Sequence, residues 1–75
     1  MDYHIGDWFI YNISLNGNTG ELCQIVDIIA TCYTIKLYTH GHCFPGVTIV
    51  KTEFERCATF ISNEQAMIMK LTLGF

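Results

Sequence analysis

Hydrophobic and polar positions alternate with a period of two over much of the chain, the spacing of side chains on opposite faces of a β-strand. The first such run is Ile5-Gly6-Asp7-Trp8-Phe9-Ile10-Tyr11-Asn12-Ile13. Asp7, Phe9, Tyr11 and Ile13 fall on one of its faces, and Trp8, Ile10 and Asn12 on the other. Apolar side chains on both sides predict a strand lying between two apolar environments, as in a small closed or sharply curled sheet. Asn16-Gly17-Asn18-Thr19-Gly20 is the clearest turn, because Asn and Gly tolerate positive φ. A second strand follows from Glu21 to Ile29, with Leu22, Val26 and Ile28 expected to point inward. Ala30-Thr31 predicts a tight turn or a bulge. The cleanest alternation comes next, in Cys32 to Tyr38, where Tyr33, Ile35 and Leu37 alternate with Cys32, Thr34, Lys36 and Tyr38, which places Lys36 on the solvent side.

Thr39 to Gly46 reads as a loop containing the sole Pro, and Val47 to Val50 as a short fourth strand. The charged stretch Lys51 to Arg56 fits a turn with one helical twist or a strand edge, and Cys57 to Ile61 a short closing strand. Ser62-Asn63-Glu64-Gln65 then forms a capping box, with Glu64 at the positive end of a helix over about residues 63–72. Met67, Ile68 and Leu71 can share one face of that helix while Lys70 faces water. Its polar start and apolar end predict docking against the open side of the sheet. Gly74 is a natural stop, and Phe75 is placed to tuck back beneath the last turn.

Seventy-five residues make one domain, 1–75, whose core is thin. Hydrophobic residues make up 51% of the chain and charged ones only 15%, below the quarter usual in soluble domains. That imbalance predicts a homo-oligomer interface or an apolar surface kept for a protein partner. The net charge of −3 disfavours a protein living on phosphate backbones, and Lys36, Lys51, Arg56 and Lys70 are scattered. The start lacks a signal peptide and no run approaches eighteen apolar residues, so the expected setting is cytoplasmic, with no membrane and with reduced cysteines. The cysteines then read as small core-filling hydrophobes, with Cys23 and Cys32 able to face each other across a hairpin.

Gly6-Asp7-Trp8, followed by short strands and turns, resembles the opening of SH3-like barrels. The resemblance covers about residues 5–61 and implies a mainly β fold, a small SH3-like barrel of four or five strands with a short C-terminal helix. The ending, Ile61 to Ala66 through Leu73-Gly74-Phe75, is similar to that of short uncharacterised proteins of gut bacteria and their phages. This chain lacks the Pro those proteins carry before the helix and has Ser62-Asn63 in place of their Thr-Glu. The likeness implies a phage- or mobile-element-associated accessory or inhibitor protein that acts by binding.

His40-Gly41-His42-Cys43 is the nearest approach to a chemical motif, since imidazole and thiolate are zinc ligands. His40, His42 and Cys43 need a fourth ligand, for which His4 and Cys57 are the candidates, and the paired spacing of a zinc finger is absent. No metal site or cofactor is therefore expected. Asp7, Asp27, Glu53, Glu55 and the histidines offer acids and bases, but nothing in their spacing sets a nucleophile against an oriented base, and no Gly-rich phosphate loop or Ser elbow is present. No enzyme is expected. Trp8 or Phe9 should join Tyr33 and Phe60 in the core, leaving Trp8, Tyr11, Tyr38 and Phe44 as interaction candidates. The leading expectation is a small protein-interaction module. The alternative is a nucleic-acid-associated barrel using Lys36, Lys51 and Arg56 with Tyr38 or Phe44.

Overall fold

The period-two segments assemble into one antiparallel sheet. A computed structural model describes residues 3–12, 20–39 and 42–75. Along the chain lie β1 (Trp8–Asn12), β2 (Gly20–Ile29), β3 (Cys32–Thr39), β4 (His42–Val50), α1 (Lys51–Cys57), β5 (Ala58–Ile61) and α2 (Asn63–Thr72). In space the strand order is β4-β3-β2-β1-β5, and every neighbouring pair is antiparallel. The Asn16–Thr19 turn lies outside the described residues.

The expected SH3-like barrel does not form. β4 and β5 are the two edges of the sheet and do not pair with each other, so the sheet stays open. Helix α1 occupies the connection between those edges, and β5 has only four residues with which to close anything. The apolar residues on both faces of β1 are satisfied by a helix on each side of the sheet.

On one face, Phe54 of α1 is fully buried against Phe9, Tyr11, Tyr33 and Tyr3. Its ring stacks on Tyr11 at 5.6 Å between centroids and meets Phe9 edge-on at 5.0 Å, both favoured aromatic geometries. Cys23, Ile25 and Ile35 complete that core. On the opposite face Ala66 of α2 packs with Leu22 and Tyr38, flanked by Trp8, Ile10 and Met69. The consecutive residues Leu22 and Cys23 are therefore both fully buried, one in each core.

Two irregularities set which side chains reach which core. Ile25 pairs with Ile35 but Asp27 pairs with Thr34, so Val26 is an extra residue in β2. This bulge puts Ile28 with Tyr33 in the α1-side core and leaves Val26 exposed. Leu22, Val26 and Ile28 thus do not share the inward face that strict alternation predicts, because one inserted residue reverses every later side chain. The second bulge sets Pro45 and Gly46 of β4 against Lys36 alone, with Gly46 at φ 78°. Proline lacks an N–H to donate and is tolerated at a bulge on an edge strand. β4 therefore begins at His42, inside the stretch expected to be a loop.

The start of β1 is tied down by its own turn. Gly6 N–H donates to Ile25 O at 2.8 Å, and the His4 N–H donates to the Asp7 carboxylate at 2.8 Å. Gly20 is required by close approach, since a Cβ there would collide with the Ile10 side chain. Phe60, expected in the core, is 55% exposed because β5 is an edge strand, and its contact with Phe9, edge-on at 5.6 Å, ties the ring to the α1-side cluster.

Phe54→Ala should destabilise the protein by about 3–5 kcal/mol, read as a lowered urea midpoint. Thr52→Ala, on the exposed side of the same helix, should stay within about 0.5 kcal/mol of wild type.

Candidate functional site

Helix α2 is fixed at both ends. Gln65 N–H donates to the Ser62 hydroxyl at 3.2 Å while Ser62 N–H donates to Gln65 Oε1 at 2.9 Å, completing the predicted capping box. At the other end Gly74 adopts φ 91°, the Phe75 N–H donates to Lys70 O and the Gly74 N–H to Leu71 O. That pair of bonds is a Schellman stop, and it swings Phe75 back so that its ring meets Tyr38 edge-on at 5.1 Å.

The helix docks through Ala66, Met69 and Leu73, not through Met67, Ile68 and Leu71. Both sets are apolar stripes with helical spacing, and the small Ala66 side chain lets the backbone approach Leu22 and Tyr38 closely. The larger stripe is turned outward, leaving Met67 59%, Ile68 65% and Leu71 73% exposed. Lys70 does not extend freely into water. Its ammonium lies 5.6 Å from the centre of the Trp8 ring and 5.4 Å from that of Tyr38, within cation–π range of both.

Between Tyr38 and the end of α2 lies an open cleft of about 270 Å³, lined by Tyr38, Met67, Lys70, Leu71 and Phe75. This cleft and the ridge beside it form the candidate site. Covering Met67, Ile68 and Leu71 would release about 3–6 kcal/mol, taking roughly 1.5–3 kcal/mol per side chain scaled by its exposure. Single exposed apolar residues are ordinary, whereas a contiguous helical ridge is a feature of interaction surfaces.

The aromatic candidates divide sharply. Tyr11 is buried against Phe54 and belongs to the core. Burial, followed by the nearby Cys57 and Glu53, raises its pKa. Tyr38 is buried by α2 but forms one wall of the cleft, and Trp8 is half-buried beneath Lys70. Phe44 stands exposed on β4, paired with Leu37 and away from the cleft lining. Met67, Leu71 and Phe75, absent from the sequence-derived interaction set, supply most of the cleft.

His40 lies outside the described residues. His42 pairs with Thr39 and Cys43 with Tyr38, so these neighbours point to opposite faces of β4. His4 sits 3.8 Å from Asp7, and Cys57 Sγ lies 3.7 Å from Glu53. Among the described residues, no group of three His, Cys, Asp or Glu side chains is placed to hold a metal.

The basic residues expected to act together are dispersed. Arg56 is paired with Glu53, and Lys51 lies over the Tyr33 ring at 5.5 Å, on the α1 side. Lys36 is on the α2 side, in the row Trp8, Gln24, Lys36 that crosses three strands. Cys23 and Cys32 do not face each other, since Cys23 pairs with Leu37 and Cys32 with Ile29.

The class of protein defined here is a small, mainly β domain: one open five-stranded sheet carrying a helix on each face. No family model, curated protein or solved structure matches the chain. Among the described residues no helix is long and apolar enough to cross a membrane.

Burial pushes the Cys23 thiol up from 9.0 to about 12. A raised folded-state pKa contributes stability that is complete below the unfolded value and is lost as pH rises through the folded one. Wild type should therefore lose stability between about pH 9 and pH 12 more steeply than Cys23→Ala, measured by urea titration across that range. Native protein at about pH 8 should be alkylated by iodoacetamide at the exposed Cys43, with Cys23 reacting only on unfolding.

Proposed function

We propose that this chain is a small protein-interaction module, an accessory or inhibitor type of protein that acts by binding and not by catalysis. The observation that carries the reading is the outward apolar ridge of Met67, Ile68 and Leu71 beside the Tyr38–Phe75 cleft. A helix presenting side chains three and four positions apart is a common means of entering or receiving a partner's apolar surface. The excess of hydrophobic over charged residues supports the same reading, since two cores and an exposed stripe draw on it together. The accessory role rests on the likeness of the chain's ending to that of short proteins of gut bacteria and their phages.

Nucleic-acid binding is the weaker alternative. Arg56 is engaged by Glu53, and Lys51 and Lys36 stand on opposite sides of the sheet.

The test is a photo-crosslinking amino acid placed at Leu71 and, as a control, at Thr52 on exposed α1, in cells producing the full chain. A discrete protein adduct from position 71 is expected, absent from position 52 and lost when Ile68→Glu is added. No adduct at position 71, or the same adducts from both positions, would refute the reading. A nuclease-sensitive adduct would instead favour nucleic acid.

A further inference from the structure

The apolar cleft has one charged wall. Of its lining residues Tyr38, Met67, Leu71 and Phe75 present carbon or ring side chains, and Lys70 alone has a charged side chain. Lys70 is held by the faces of Trp8 and Tyr38, which fix the position of the ammonium without neutralising it. Among the described residues no carboxylate lies within ion-pair distance of it. An ammonium carries three donors and a full positive charge, and the rings satisfy neither as an anion does. Lys36 adds a second positive charge on the same side of the sheet, two residues before Tyr38 on that strand face. The nearest acid on the outward stripe is Glu64, in the first turn, about 9 Å of helix rise away from Lys70.

We infer that the cleft receives an apolar side chain carried next to a carboxylate, so that the partner is an acidic amphipathic segment of another protein. The inference rests on the reading of the α2 ridge as the interaction surface and names the chemistry that surface selects. Apolar contact with Met67, Leu71 and Phe75 supplies the attraction, and the carboxylate meets Lys70 at the rim. At about 270 Å³ the open cleft has room for an anchoring apolar side chain. The charge complementarity is local, since the chain as a whole is acidic. Steering toward an acidic partner would therefore be weak, and discrimination would come from the contact itself.

Trp8, the only tryptophan, lies beneath Lys70 and 5.5 Å from Tyr38, so its fluorescence reports on this cleft. The full chain is titrated with three synthetic helical peptides that share Leu positions and carry Glu, Gln or Lys beside them. The Glu peptide should bind about fivefold more tightly than the Gln peptide at low salt, the upper range for an exposed ion pair. That margin should shrink in high salt. Lys70→Gln should remove the margin while retaining Gln-peptide binding, Lys70→Arg should keep it, and Lys70→Glu should shift preference to the Lys peptide.

Equal affinity for the Glu and Gln peptides in wild type would overturn the inference and leave the ridge reading standing. So would an unchanged Trp8 signal with every peptide while position 71 still yields a protein adduct. Decanoate competing more tightly than the Glu peptide would overturn it in favour of a lipid-like ligand. A dimer that excludes the peptides and is broken by Glu64→Lys would overturn it in favour of a second copy. Failure of both the peptides and the crosslink would remove the underlying reading as well.

Discussion

Phe54 inserts into a ring of aromatic side chains from β1, β3 and the chain start, and the course of the backbone depends on that insertion. Helix α1 has seven residues, too few to be stable by itself in water. It also follows Val50 directly and runs directly into Ala58, so it must carry the chain from one edge of the sheet to the other without linkers. Four strand spacings separate those edges, about 19 Å if the sheet were flat. Seven residues of helix rise only about 10 Å. The sheet must therefore curl toward α1, and the buried Phe54 ring is what holds the helix inside that curl. The Lys51 N–H donating to Thr31 O at 2.9 Å anchors the start of the crossing. Once α1 has crossed, β5 is delivered to the free side of β1, and α2 emerges on the opposite face.

This arrangement explains a composition that is otherwise too apolar for 75 residues. A sheet with one covered face needs one set of apolar positions, whereas here Phe9 and Leu22 serve different cores. Each core is shallow. Among the described residues the α2-side core has only Leu22, Tyr38 and Ala66 fully or nearly fully withdrawn from water, with Trp8 and Ile10 partly covered. A ten-residue helix with two apolar stripes can cover that core through either, and the chain uses the stripe that begins with the small Ala66.

Much of the secondary structure was legible because local chemistry determined it. The capping box at Ser62 and Gln65, the Gly74 stop and the return of Phe75 each depend on neighbours within a few residues, and all three form. The alternation of Tyr33 and Ile35 in β3 likewise survives, with both side chains buried. Closure of the sheet was not legible, because apolar residues on both sides of β1 are equally compatible with a barrel and with two covering helices. The Val26 bulge escaped a strict period-two reading, as did the Pro45–Gly46 bulge, where proline and glycine suggest a loop. The cleft was only partly readable for a related reason. Tyr38 could be named from its aromatic character, but Met67 and Leu71 looked like core until Ala66 was seen to take the inward position.

The outward stripe sits on a helix tied down at several points. The Ser62 cap, the Schellman bonds at Gly74 and Phe75, and the two rings beneath Lys70 restrain the helix at its start, its end and its flank. Ordering an interface costs roughly 0.5–1.5 kcal/mol for each rotamer-rich side chain immobilised on binding. A lysine already seated over Trp8 and Tyr38 has lost part of that freedom in the unbound protein. The same contacts that stabilise the small α2-side core therefore prepare the rim of the cleft, so that folding and recognition draw on one set of residues. A substitution at Trp8 or Tyr38 acts on both at once, whereas Leu71, exposed and outside the core, separates them.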